Sequence, residues 1–177
     1  MIGPEIPITI RPESPDDVRS IAPLIRSAFH LVEHSDGSEA QIVERLRKEG
    51  DLALSLVAED ADGIVGHIAF SPVRISDGAK GWYGLGPVSA KPALHRRGIG
   101  TALVKRGIAD LRQNGARGIV LLGDPAFYGR FGFEHYPQLS FPGPPPEYFQ
   151  ALAIGGELPA GEVLYAPAFY PQQPGAS

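Results

Sequence analysis

The sequence contains no cysteine. That excludes disulfides, thiolate metal sites and a cysteinyl covalent intermediate, and with the last of these a whole branch of acyl-transfer chemistry. Long apolar runs are missing too: none approaches the ~18 residues a membrane span needs. The opening MIGPEIPITI has neither the basic nor the apolar region of a secretory signal, so a cytoplasmic protein without membrane partners is expected. A net charge of −4 supplies no general attraction to nucleic acid. Neither a repeat nor a long linker divides the 177 residues. One domain over residues 1–170 is therefore expected, with 171–177 (PQQPGAS) as a disordered tail.

What is present has the balance of a globular protein, 43% apolar and 20% charged with both signs interspersed. A strand over Ile8–Arg11 leads to Ser14, Pro15, Asp16 and Asp17, which suit a helix N-cap, its first position and its positive end. Val18, Ile21, Ile25, Ala28, Phe29 and Val32 recur at helical spacing, and Pro23 is expected to kink or interrupt that helix. Ser38-x-x-Gln41 reads as a capping box for a second helix that ends at Gly50. The period then changes to alternation at Leu54, Leu56 and Ala58. Turns at Asp62-Gly63 and Asp77-Gly78 predict three antiparallel strands, the second Ile64–Ile75 and the third Gly81–Ala90. Pro87 cannot donate to a ladder, so the third should bulge or part from a neighbour and leave a gap that admits a ligand. A helix from Gly98 to Asn114 and an apolar strand Gly118–Gly123 complete a parallel strand–helix–strand unit. Phe127–Phe131 reads as a short helix and Val163–Ala166 as a last strand.

The densest chemical signal is His95-Arg96-Arg97-Gly98-Ile99-Gly100, followed by Thr101, between a strand and a helix start. Glycines let successive amides converge, the helix N-terminus adds partial positive charge, and two guanidinium groups suit phosphate oxygens. A basic surface turn ahead of an ordinary helix explains the same string. Neither Gly81…Gly86-Pro87 nor Gly118…Gly123-Asp124 has the lysine of a Walker loop, and Gly98-Ile99-Gly100 lacks the third glycine of a dinucleotide fingerprint. His30-Leu31-Val32-Glu33-His34 fits H-x-x-E-H, the string of an inverted zinc metalloprotease, but the Ser35-Asp36-Gly37 turn follows at once and no third ligand is identifiable.

HRRGIG, together with Tyr128-Gly129-Arg130-Phe131-Gly132-Phe133 after the next strand, resembles the GNAT acetyltransferases, whose signatures are [QR]-x-x-G-x-[GA] and Y-x-x-x-G-F. The resemblance runs over roughly Ile8–Glu134 and is nearest to the YhbS-like branch. It implies an α/β fold with a mixed, mostly antiparallel central sheet, flanking helices and a bulged strand at the coenzyme gap. It also implies acetyl-CoA as cosubstrate, and direct attack on its thioester by the amine of a small molecule or peptide. Under it, the Val88 amide meets the thioester carbonyl and the Ala90 amide the pantetheine. His95, Arg96, Arg97, Gly98, Ile99, Gly100 and Thr101 hold the pyrophosphate, and Tyr128 protonates the departing thiolate. A buried aromatic at a chain corner is the plainer account of Tyr128. Two departures stand out: His95 replaces the usual Gln or Arg, and Asp124-Pro125 stands where many members have Asn. The general base is not assigned; Glu33, His30, His34 and His67 are the candidates. A module that binds acyl-CoA without turning it over would carry the same cradle, and a homodimer is compatible with all of this.

Overall fold

The computed structural model describes residues 6–30, 32 and 35–171. The chain enters through strand β1 (Thr9–Pro12), a single 3-10 turn (Pro15–Asp17) and helix α1 (Val18–Phe29). Ser14 is the N-cap of that turn, as expected, with Pro15 in its first position, and Asp17 reinforces the entry: its carboxylate accepts from the Ser14 amide at 2.7 Å and hydroxyl at 3.0 Å, and from both Arg11 terminal nitrogens. Arg11 in turn reaches Glu59 at 2.9 Å, and its hydrogen bonds hold the Asp17 carboxyl well below the ordinary carboxylate range. Helix α1 continues through Pro23 without interruption. That residue lies on the exposed side, where water can satisfy the carbonyl left without a donor.

Helix α2 (Glu39–Glu49) ends on Gly50 in the left-handed conformation expected of a C-cap, with φ of 81°. The capping box expected at its start is absent. The Ser38 hydroxyl donates to Asp36 at 2.5 Å, closing a local turn instead.

Strands β2 (Leu54–Asp60), β3 (Gly63–Pro72), β5 (Trp82–Ala90), β6 (Gly118–Leu122) and β8 (Phe149–Ala153) join β1 in a six-stranded sheet of order β1-β2-β3-β5-β6-β8. Every pair is antiparallel except β5–β6, which α3 (Ile99–Gln113) connects as a parallel crossover. The Ile64–Ile75 segment is not one strand: β3 stops at Pro72, which has no N–H to extend the ladder. Arg74–Ile75 (β4) then pairs with β9 (Gly161–Leu164), which pairs with β7 (Leu139–Ser140) in a small second sheet. The strand expected at Val163–Ala166 is therefore β9, outside the main sheet. The main-sheet edge opposite β1 is β8, unanticipated because its Gln150 is buried, donating to the Gly123 carbonyl at 3.0 Å, and masks the alternation.

The sheet is covered on both faces. On one, α3 packs Leu103, Val104, Ile108 and Leu111 onto Leu56, Ile68, Phe70, Ile119 and Leu121. On the other, Ile21 and Ile25 of α1 and Val43 of α2 meet Val57 and Ala69. Close approach of α3 depends on two glycines: a Cβ on Gly107 would stand 2.4 Å from the buried Phe70 ring, and one on Gly66 2.5 Å from Ile99. Gly129, in the turn after β6, has ordinary helical dihedrals and open space around it.

These positions yield a paired expectation. Gly107→Ala should destabilise by about 1–3 kcal/mol through overpacking, despite its better helix propensity. Gly129→Ala should stabilise by about 0.4–1 kcal/mol through the unfolded chain. Urea melts of both variants check this, and a neutral Gly107→Ala would mean that α3 can stand off from the sheet.

Candidate active site

Strand β5 carries one more residue than β3 between two paired positions: Ile68 opposes Val88 and Phe70 opposes Leu85. The surplus lies at Gly86-Pro87, where Gly86 takes φ of 134°. Toward β6, β5 pairs only at Trp82, Tyr83 and Gly84, so the two parallel strands part beyond that point. The Lys91 amide still donates across to the Val65 carbonyl at 2.9 Å, and Ser89 stands opposite His67. Antiparallel pairing alternates, so the N–H groups of Val88 and Ala90 face away from β3 and into the gap.

Beyond β5, a 3-10 turn (Pro92–Leu94) ends at His95, and the chain reaches α3 through Arg96, with φ of 64°, and Gly98, with φ of 85°. Among the described residues, no backbone carbonyl and no side chain accepts from the N–H groups of Arg96 to Thr101. Six consecutive donors with the positive end of a 15-residue helix behind them are the chemistry that could hold an anion. Ile99 contributes only its backbone, because its side chain is buried against Gly66. A Cβ on Gly100 would meet nothing closer than Phe127, at 3.9 Å, so the fold's own packing does not require glycine there.

Helix α4 (Pro125–Tyr128) and the turn after it bring Tyr128 and Arg130 to the same region. Asp124 caps α4 by accepting from the Ala126 amide at 2.9 Å. The Tyr128 ring fills the space above Gly123, where a Cβ would lie 2.4 Å away, and stands edge-on to Phe127 and Phe133. Burial, aided by the Asp124 charge, pushes its phenol up to about 12, so it keeps its proton at neutral pH. Arg130 donates to Thr101 Oγ1 at 2.9 Å and lies over the Phe127 ring, 4.8 Å from its centroid. Among the described residues Arg96, Arg97 and Arg130 have no carboxylate partner. The place of Arg130 beside Thr101 went unread because nothing in YGRFGF distinguishes it before the chain folds back on that residue.

Of the base candidates, Glu33 and His34 lie outside the described residues. His30 is the C-cap of α1, which ends at Phe29, so the first histidine of H-x-x-E-H does not sit within a helix. His30 lines a cleft of about 740 Å³ with Pro23, Arg26 and Ser27 of α1, Ala90 of β5 and His95 of the cradle. His67 is wholly buried. It ends a polar chain that the sequence alone did not reveal: Arg47 clamps Glu13 at 2.8 and 2.9 Å, the Ser55 hydroxyl donates to Glu13 at 2.5 Å, and His67 Nε2 meets Ser55 Oγ at 2.8 Å. Burial drives the His67 imidazole down to about 4, against the pull of Glu13, so it is neutral at pH 7. Burial alone would raise the Glu13 carboxyl, but the bonds from Arg47 and Ser55 outweigh it and hold the group below its ordinary value. Among the described residues, no cluster of three metal-ligating side chains occurs, and no helix is long and apolar enough to cross a membrane.

A parallel pair that parts at a bulge, with an amide cradle at the start of the crossover helix, is the architecture of a coenzyme A-dependent acyltransferase. The match to the acetyltransferase (GNAT) domain family extends over residues 9–136, and the chain belongs to that family. Over 126 residues it is 40% identical to Escherichia coli YhbS, an uncharacterized N-acetyltransferase, covering 71% of this chain and 72% of that protein. A GNAT acetyltransferase from Brucella melitensis, solved in complex with acetyl-CoA, superposes with a TM-score of 0.83 at 47% identity, covering 93% of this chain and 99% of that one. The Escherichia coli YhbS structure in complex with CoA gives 0.84 at 33% identity, covering 96% and 95%.

The Glu13 ion pair makes stability depend on pH in a defined direction. A carboxyl held below its unfolded value contributes stability that is complete above the ordinary value of 4.5 and is lost as pH falls through the folded value. Glu13→Gln should therefore cost about 1.5–3 kcal/mol at neutral pH, the scale of hydrogen bonds to a charged group. Urea melts in acid should show that deficit narrowing, and a deficit independent of pH would assign the loss to packing.

Proposed function

We propose that the protein transfers the acetyl group of acetyl-CoA to the amine of a small molecule or peptide, by direct attack within a ternary complex. The observation that carries this reading is the run of six unpaired amides, Arg96 to Thr101, at the start of α3, following the strand β5 that parts from β6 after Gly84. The donor fits what the residues offer. The open space at Gly100 leaves room for phosphate oxygens against the backbone, and Arg96 and Arg97 add charged hydrogen bonds to them. The bound acetyl-CoA of the Brucella melitensis relative and the CoA of Escherichia coli YhbS support the same choice of donor.

With the pyrophosphate on the cradle, the pantetheine runs along the gap, where Ala90 offers an amide. The Val88 amide then receives the thioester carbonyl and stabilises the oxyanion as the amine attacks. Fixed donors cost no reorganisation at that moment, which is why strand amides outperform water here. The C–N bond forms, the C–S bond breaks, and Tyr128 gives its proton to the departing sulfur. The acceptor has its natural approach through the cleft between α1 and Ala90, lined by His30 and Arg26. No described feature favours the metalloprotease reading.

Acetyl-CoA should raise the melting temperature, and Gly100→Asp, which the fold can house, should abolish the shift while leaving the ligand-free melt close to wild type. No shift at saturating acetyl-CoA in the wild type would remove the coenzyme assignment. Turnover of an amine panel separates an enzyme from a binding module, and EDTA should leave turnover unchanged.

Tyr128→Phe should lower kcat by about ten- to a thousand-fold with little change in the dissociation constant for acetyl-CoA. Because the phenol titrates at about 12, the wild-type rate should show no falling limb from this group through pH ~10. Wild-type kcat in the variant, with chemistry shown to be rate-limiting, would pass the acid role to water or another residue.

A further inference from the structure

The Ser55 hydroxyl has one proton, and the distances commit it to the Glu13 carboxylate. Ser55 Oγ can then only accept from His67, so Nε2 carries the imidazole proton and Nδ1 carries the lone pair. His67 Nδ1 is buried and has no hydrogen-bond partner among the described residues. Ser89, directly opposite His67 on β5, is 2% exposed, and its Oγ is likewise unpartnered. Directly opposed residues share a face of the sheet with Cβ atoms roughly 5 Å apart, so a turn about the Ser89 side-chain torsion can bring its hydroxyl to Nδ1. Two unpaired polar groups of this kind are costly to bury and call for a purpose. Their face is the one that α1 covers, since Val57 and Ala69 beside His67 pack on Ile21 and Ile25. Ser89 also sits between Val88 and Ala90, whose amides face the gap.

We propose that His67 is the base of the acetyl transfer, reached through the Ser89 hydroxyl and kept in its proton-accepting tautomer by Ser55 and Glu13. The inference rests on the acetyl-transfer reading above. As the neutral amine bonds to the thioester carbon, its N–H proton passes to Ser89 Oγ while the Ser89 proton passes to His67 Nδ1. The C–S bond breaks and the thiolate takes its proton from Tyr128. His67 then returns a proton through solvent to the Tyr128 phenolate, and both groups regain their starting states. Amine and thioester have become amide and thiol with no other reactant. Ser89 is the group that meets the acceptor; Ser55 and Glu13 are positioning residues.

Ser89→Ala is the decisive variant, because it deletes a hydroxyl that bonds to nothing in the resting fold. It should melt at or above the wild-type temperature and keep its acetyl-CoA dissociation constant within about twofold, yet lose about ten- to a hundred-fold in kcat with the amine that the wild type turns over best. His67→Gln should lose more, about a hundred- to a thousand-fold, if it folds. Nitrogen-15 NMR of labelled imidazole in the wild type should report the Nε2–H tautomer of His67, and Ser55→Ala should release that preference. Unchanged kcat in Ser89→Ala, or a proton on Nδ1 of resting His67, overturns the proposal while leaving acetyl transfer standing. A wild type that acetylates no amine overturns both together.

Discussion

The parting of β5 from β6 is the constraint on which the rest of this molecule depends. A parallel pair inside a covered sheet would ordinarily use its amides to hold its neighbour. The surplus residue at Gly86-Pro87 keeps β5 in register with β3 on one side while ending its pairing with β6 after Gly84. The N–H groups of Val88 and Ala90 are thereby released without leaving the sheet, so they are both free and rigid. The same strand delivers the chain to the start of α3, and the gap and the anion cradle become one continuous feature.

The glycines divide by physical cause. Gly66, Gly84, Gly107 and Gly118 are spaces that other side chains occupy: Ile99, Tyr165, Phe70 and Trp82 would each meet an added Cβ at 2.5 Å or less. Gly98 is fixed by its left-handed backbone. Gly100 is required by neither cause: it has helical dihedrals, and outside its own helix turn the atom nearest to an added Cβ is on Phe127, at 3.9 Å. A glycine that its own fold does not need is consistent with the proposed approach of phosphate oxygens to the backbone there.

The two faces of the sheet also differ in a way that bears on chemistry. The α3 face is apolar, with Leu56, Ile68, Phe70, Ile119 and Leu121 in one cluster. The α1–α2 face carries Ser55, His67, Ser71 and Ser89 among its small apolar residues, and Ser71 and Ser89 hydroxyls and His67 Nδ1 lack partners among the described residues. Burying polar groups without partners opposes stability by kilocalories. His67 and Ser89 stand opposite each other beside the gap, where the proposed proton relay would use them, whereas Ser71 lies opposite Gly84 in the paired part of β5.

From sequence, the local events were legible: the N-cap region of α1, Gly50 as a stop, the bulge forced by Pro87, and the turn of HRRGIG into a helix. Each depends on the stereochemistry of residues close together in the chain, and that is written in their order. Less legible was whatever depended on who stands opposite. Val73 separating β4 from β3, β8 taking the sheet edge with a buried Gln150, and Ser38 turning to Asp36 all reflect partners that pattern alone does not name. The site divides in the same way. The cradle is a contiguous segment and could be read as one, whereas Arg130 beside Thr101 and the chain from Arg47 through Glu13 and Ser55 to His67 join residues 12 to 42 positions apart. A backbone anion site needs only consecutive amides. A directed proton acceptor needs a lone pair held in one orientation, and that comes from hydrogen bonds between separate elements, set only once the sheet has closed.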